Sequence, residues 1–197
     1  MKGIITIIGI LICLNGFSQT LSEMWIETDT ISSEIYEFQV PTSWRNYGKM
    51  MNGKNGPEQF FEASGKGLPI SFNSGPIKIS IFLVKLDKAK NLKEAKESTI
   101  SGYFENPDRI FEKENKYSEK TFELSDNNES ILLNTRFYRT SKGLNQSRYD
   151  LITYSESHKT AYMFTVSFQY IDKSYEFETD NNLIEYAEKL YKTFKWK

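Results

Sequence analysis

The sequence predicts an α+β domain, an antiparallel β-sheet covered by helices, and three observations carry that reading. Residues 160–170 alternate without a break: Tyr162, Phe164, Val166, Phe168 and Tyr170 share one face, and Ala161, Met163, Thr165, Ser167 and Gln169 the other. A period of two marks a strand. Leu183, Ala187, Leu190 and Phe194 recur at spacings of four, three and four, the stripe of a helix, widened by Ile184 and Tyr191. Between residues 109 and 170, further β-rich runs are separated by turn residues, which reads as an antiparallel meander. The simple alternative is an all-β barrel with a terminal helix.

The N-terminus reads as an address. Met1-Lys2 is a short positive start, Ile4 to Leu14 is an apolar run, and Gly16 and Ser18 are small residues before a cut ahead of Gln19. That layout is a secretory signal peptide over 1–18; the run is shorter than the roughly 20 apolar residues of a membrane span. Cys13 lies inside the run, behind Ile12, so it lacks the small preceding residue that a lipidated cysteine follows. The expected mature chain, 19–197, is a single exported domain, periplasmic or extracellular. It is not lipidated, has no transmembrane segment, and has no cysteine from which to form a disulfide.

Within that domain, residues 19–33 are polar with isolated apolar positions, and loose packing is expected there. Tyr36, Phe38 and Val40 alternate as a half-buried strand, which Pro41 ends by removing a donor and restricting its neighbour. Trp44 is expected to cover the core at that turn. The passage 45–76 is rich in Gly, Pro, Ser and Asn and holds one short strand, 58–63. Ile77, Ile79, Ile81 and Leu83 mark the next strand. Asn91 followed by Glu94 is a capping pattern, and Leu92, Ala95, Thr99 and Tyr103 give the helix behind it an apolar side. Gly102 and Asn106-Pro107 are expected to end that helix. Strands are expected at 109–114, 118–124, 130–138, 148–155 and 160–170, with turns at Asp126-Asn127-Asn128 and Lys142 to Asn145. The last helix is expected from about Asn181, capped by Thr179 or Asp180, lying across the sheet.

Composition limits the chemistry. Lys+Arg is 25 against Asp+Glu 26, for a formal charge of -1, so no global field favours nucleic acid. One Cys and one His are too few for a protein-only zinc or iron–sulfur centre; no metal, cofactor or catalytic residue is assigned. His158, in Ser155-Glu156-Ser157-His158-Lys159, reads as a surface-turn histidine whose replacement by Ala should change stability little. The carboxylates Glu112, Glu114, Glu119 and Glu123 alternate with lysines as a solvated hairpin face. Gly65-Lys66-Gly67 lacks the rest of a phosphate loop. The basic residues are spread along the chain. Aromatic residues, 15% of the chain, are the most distinctive resource. Tyr138, Tyr149, Tyr154, Tyr162 and Tyr170 all fall on expected strands and form the candidate interaction surface, since tyrosine packs carbon against a sheet while its hydroxyl reaches water.

The run Tyr36-Glu37-Phe38-Gln39-Val40-Pro41-Thr42-Ser43-Trp44 resembles the aromatic–x–aromatic–x–x–Pro–x–x–Trp opening of PsbP/Mog1-like domains. The order of elements that follows is similar too, through the helix at 91–104 and Ser167-Phe168 to Phe194-Lys195-Trp196. The resemblance spans roughly 34–196 and suggests an exported bacterial member. It implies an α/β/α sandwich around an antiparallel sheet and a mostly non-enzymatic role; some members assist photosystems and another binds a small nuclear GTPase. Neither partner carries over to this chain.

Function is therefore expected to be that of an exported, non-enzymatic interaction or accessory domain with an unknown partner. A small-ligand carrier with an aromatic-lined cleft, bordered by 45–76, is the second reading. The third is a hydrolase, with His158 as base aided by Glu156, or with a carboxylate site around Asp150; it needs base and nucleophile within hydrogen-bond reach.

Overall fold

In the computed structural model, which describes residues 27–48, 57–64, 78–111, 117–126, 128–170 and 177–197, the chain runs β1 (Thr28–Ser32), β2 (Tyr36–Pro41), β3 (Arg45–Asn46), β4 (Gln59–Ser64), β5 (Lys78–Lys85), α1 (Leu92–Phe104), β6 (Arg109–Phe111), β7 (Tyr117–Glu123), β8 (Glu129–Arg139), β9 (Leu144–Ser155), β10 (Thr160–Tyr170), α2 (Phe177–Tyr191) and β11 (Lys195–Trp196). The expected signal peptide, with Cys13, lies outside the described residues, as do Gly65-Lys66-Gly67, Glu112 and Glu114.

The strongest strand of the sequence sits at the centre. β10 pairs antiparallel with β9 on one side and β5 on the other. From there the large sheet continues through β4 to β3, and in the other direction to β8, whose outer edge is shared by β6 and β7. A small sheet, β1-β2-β11, is separate from it. With α2 it covers one face of the large sheet, and α1 covers the other. This is an α+β sandwich built on an antiparallel sheet, and the barrel alternative falls away because the large sheet has two ends, β3 and β6.

The core on the α2 side is largely aromatic. Phe164 of β10 meets Phe38 at 4.7 Å, Tyr191 at 5.4 Å and Phe194 at 5.9 Å between ring centroids, the range in which tilted and edge-on rings attract. Leu183, Ala187 and Leu190 bring the helical stripe of α2 onto this layer, fully buried. Tyr191 adds a polar anchor. Its hydroxyl donates to Tyr149 O at 2.5 Å and accepts from Val166 N–H at 3.1 Å. Those two residues are register partners, so the hydroxyl bridges β9 and β10, and burial raises its pKa well above the ordinary phenol value. Trp44 is buried as expected and stacks on Tyr186.

Helix α1 begins as its sequence asks. Asn91 Oδ1 accepts from Glu94 N–H at 2.8 Å. Glu94 returns the contact one residue early, to Lys90 N–H at 3.0 Å. Ala95, Thr99 and Tyr103 are its buried face. Gly102 lies inside the helix rather than ending it; the helix closes when Glu105 N–H donates to Ser101 O, just before Asn106-Pro107.

Several boundaries differ from the sequence reading. Residues 28–32, expected to pack loosely, pair with β2 over Thr28↔Pro41 to Ser32↔Glu37; backbone pairing needs no apolar alternation, so the pattern hid it. β9 starts at Leu144, not 148, because the turn over residues 140–143 ends at Gly143, which takes φ 62. Helix α2 starts at Phe177, so Thr179 and Asp180 fall within it. The last residues form β11, which pairs Lys195 with Glu37 and Trp196 with Tyr36.

Phe194, just past α2, touches Tyr36, Phe38, Phe164 and Trp196 and so ties the C-terminus to both sheets. Phe194→Ala is expected to destabilise the fold by about 3–5 kcal/mol in urea unfolding; a loss under about 1 kcal/mol would mean the terminus is not part of the core.

Candidate binding cleft

The α1 side of the large sheet is polar where the α2 side is apolar. On β9, Gln146, Arg148 and Asp150 point to this side. On β10 their partners Gln169, Ser167 and Thr165 do the same, in the register Gln146↔Gln169, Arg148↔Ser167, Asp150↔Thr165. Asp150 is fully buried. Its Oδ2 accepts from Tyr103 of α1 at 2.6 Å, and its Oδ1 accepts from Arg148 Nε at 2.9 Å and from the Thr165 hydroxyl. A buried carboxylate needs such partners, because desolvation penalises its charge. Burial is the largest influence on the pair, raising Asp150 and lowering Arg148, while their mutual attraction opposes both shifts. Arg148 also donates to Thr165 Oγ1 at 3.2 Å, and its guanidinium lies over the rings of Phe82 and Tyr103, at 4.7 and 4.4 Å.

Beside this network lies a cleft of about 200 Å³. Phe60, Phe82 and Phe137 give it apolar walls; Ser80, Gln146, Ser167 and Gln169 give it polar ones; Lys78, Arg109, Arg139, Lys142 and Arg148 supply positive charge. No carboxylate lines it among the described residues. Phe60 comes from the described part of the 45–76 passage, which therefore does border a cleft. The Arg109 guanidinium lies 4.6 Å from the Tyr103 ring and 5.0 Å from that of Phe137, with Nη1 donating to Tyr103 O at 3.2 Å. Its pKa is lowered, first by burial and then by repulsion from Arg139. Gln146 is 8% exposed; its amide nitrogen donates to Ser167, and its Oε1 is buried with no partner among the described residues.

Arg139 is fixed from behind. Asp108 accepts from Ser141 N–H at 2.6 Å, Thr140 Oγ1 at 2.8 Å, Ser141 Oγ at 2.9 Å and Arg139 Nε at 3.0 Å. These donors, the Ser141 backbone foremost, hold the Asp108 carboxyl well below its ordinary value of 3.8. The turn between β8 and β9 is thereby stapled to the start of β6.

His158 stands elsewhere. It is half-buried, its Nε2 lies 2.6 Å from Lys197 O, and its ring stacks on Trp196 at 6.1 Å. Ser155 Oγ pairs with Ser157 Oγ and accepts from the His158 backbone N–H; Glu156 pairs with Lys159. The histidine-based hydrolase is therefore not assembled; His158 does lie in a turn, as expected, but its imidazole is engaged with Trp196 and Lys197 and is not idle there. The carboxylate version fails as well, since Asp150 faces Arg148 and not a second carboxyl. Among the described residues no cluster of three or more His, Cys, Asp or Glu side chains is placed to hold a metal, and no helix is long and apolar enough to cross a membrane.

The strands do not bring the five tyrosines together. Tyr149, Tyr162 and Tyr170 are buried in the α2-side core, Tyr154 is buried on the α1 side, and Tyr138 is half-buried on β8. Both faces of the sheet are covered, so strand tyrosines here pack inward; Tyr162 sends its hydroxyl to Glu58 Oε2 at 2.9 Å, which also receives that of Tyr36. Sequence reasoning did not reach the cleft residues. A signal was present in Gln146-x-Arg148-x-Asp150 opposite Thr165-x-Ser167-x-Gln169, two strands with polar residues at alternate positions. The cations come from separate elements, and only the fold collects them.

An α+β sandwich of this kind, a large antiparallel sheet with a helix on each face, matches the PsbP/Mog1-like fold. Two solved structures are similar along almost their whole length. One is the Ran-binding protein Mog1p of Saccharomyces cerevisiae, with a TM-score of 0.51, 9% identity, and coverage of 86% of this chain and 95% of that one. The other is a point mutant of Mog1, with a TM-score of 0.52, 9% identity, and coverage of 86% and 96%. At that identity the likeness is one of fold. No family model matches the chain, and no curated protein does.

Two side chains of this region give measurable outcomes. His158→Ala should cost about 1 kcal/mol, the worth of one net hydrogen bond with its packing, in chemical unfolding; no change at all would show these contacts to be empty of energy. Asp108→Asn should lower the melting temperature at pH 7. Because the folded pKa of Asp108 is depressed, its contribution is present above the ordinary carboxylate value and is lost as pH falls through the folded one. The gap between the two proteins should therefore narrow below about pH 4; a gap that stays constant down to about pH 2 would contradict the assignment.

Proposed function

We propose that the chain is an exported, non-enzymatic interaction domain, cut ahead of Gln19, that engages its partner on the α1 side of the large sheet. The observation that carries this reading is the cleft itself. Its arginines are held in ion pairs and ring stacks, an arrangement suited to recognition, and it has no base beside a nucleophile among the described residues. Guanidinium groups laid on aromatic faces are fixed in direction before any partner arrives, which limits the entropy lost on binding. The fold shared with a Ran-binding protein supports a binding role by analogy; the apolar run at the N-terminus supports export. The carrier reading meets the same cleft, but a volume of about 200 Å³ is below the roughly 300–1,000 Å³ of a typical ligand pocket, which favours anchoring one group of a larger partner.

The test is to express the full chain in a bacterial host with a photo-crosslinking amino acid at Lys142, beside the cleft, or at Glu123 on exposed β7 as control. We expect export with a mature N-terminus at Gln19, and a discrete crosslinked product from position 142 that is absent from 123 and competed by added wild-type protein. Retention in the cytoplasm uncut would overturn export. Identical products from both positions, or none from 142, would overturn the assignment of the face.

A further inference from the structure

We infer that the cleft is a binding site for an oxyanion, a carboxylate or phosphate group. The inference rests on the reading of this face as the binding face and adds the chemistry of what it takes. Charge accounting is the first ground. Of the cations lining the cleft, Lys78 is paired with Glu62, Arg139 with Asp108 and Arg148 with Asp150. Arg109 and Lys142 have no ion-pair partner among the described residues. The cleft therefore holds positive charge that the described residues do not balance, in a place where apolar walls reduce screening by water.

Geometry is the second ground. The Tyr103 and Phe137 rings lie against the Arg109 guanidinium, whose N–H donors are what it can offer a ligand. Only one of them, Nη1 to Tyr103 O, has an acceptor within hydrogen-bond distance among the described residues. A guanidinium lodged between rings, with donors to spare, is the fork that binds a carboxylate or phosphate through parallel N–H···O bonds. Lys142 sits on the turn that Asp108 staples, so its backbone is fixed while its ammonium stays exposed and adjustable. Asp150 and Asp108 already attract Arg109 without an ion pair, and an arriving anion would add to that attraction and counter the repulsion from Arg139.

A third, independent feature is Gln146. It is more than nine-tenths buried at the wall of the cleft, and its Oε1 has no partner among the described residues. Buried polar atoms are rarely left so without cause. A bound group that carries an N–H or O–H would give this acceptor a partner. The cleft volume, about 200 Å³, limits the occupant to one small group: a free phosphate, a short dicarboxylate, or the acidic side chain of a partner. These share one chemistry and differ in source.

The experiment is isothermal titration of the purified mature protein, at low ionic strength, with inorganic phosphate, with succinate and with a hexaglutamate peptide, repeated on Lys142→Ala and Arg109→Gln. We expect at least one of the three probes to bind with 1:1 stoichiometry, at least fivefold more weakly to Lys142→Ala and at least tenfold more weakly to Arg109→Gln, with Lys142→Ala melting within about 2 °C of wild type. Binding of phosphate or succinate assigns a free anion; binding of the peptide alone assigns a partner's side chain. Should Arg109→Gln fail to fold, the exposed Lys142→Ala decides alone. No binding by any probe, or equal binding to wild type and Lys142→Ala, overturns the oxyanion site. If that happens while position 142 still crosslinks a specific partner, the interaction reading stands and only its chemistry is wrong. Anion binding without a crosslinked partner does the opposite: it keeps the oxyanion site and removes the protein partner.

Discussion

The α1 side of this protein is organised around one buried carboxylate. Asp150 sits on a central strand, fully out of water, and a charge in that position is tolerated only if several donors converge on it. They come from three elements: Tyr103 from α1, Arg148 from the same strand, and Thr165 from the neighbouring one. Meeting that demand fixes where α1 lies on the sheet, which way Arg148 points, and how Tyr103 is turned. Arg109 stacks on Tyr103 in consequence. The part of the cleft's positive wall that Arg148 and Arg109 make thus follows from satisfying a negative charge beneath it.

The two faces of the large sheet divide the work. On the α2 side, interlocking rings and the aliphatic row Ile79, Ile81 and Leu83 of β5 exclude water and supply the hydrophobic stabilisation. Tyr191 contributes the bridging hydroxyl between β9 and β10, and Phe194 together with Trp196 of the C-terminal strand closes the layer. On the α1 side, packing by Ala95, Leu133, Ile152 and Ala161 gives way to the Asp150 network and then to the cleft.

Much of the frame was legible in the sequence because periodicity reports burial. The alternation of β10, the stripe of Leu183, Ala187 and Leu190, and the Asn91 cap all reached the structure at the expected places. β1 and β11 were not legible: they are short, their pairing is a backbone matter, and they have no alternating apolar residues to betray them. The tyrosines were read from a property of the residue type, an apolar ring with a wet hydroxyl, without knowledge that both sheet faces would be covered. The cleft was hidden for a different reason. Lys78, Arg109, Arg139, Lys142 and Arg148 are spread over a long stretch of the chain, and a sequence has no local sign that β5, β6, β8 and β9 will present them together. The clue that existed, polar residues at alternate positions on two adjacent strands, reads locally as a solvent face and becomes a buried network only under α1.

The central claim, that Asp150 and Arg148 act as one unit that positions this side of the molecule, is tested most directly by a double-mutant cycle on Asp150→Leu and Arg148→Met, followed by urea unfolding. Removing either partner alone leaves a buried charge unpaired and should cost about 3–5 kcal/mol, whereas removing both should restore most of that loss. Losses that simply add, or single variants as stable as the wild type, would contradict the account.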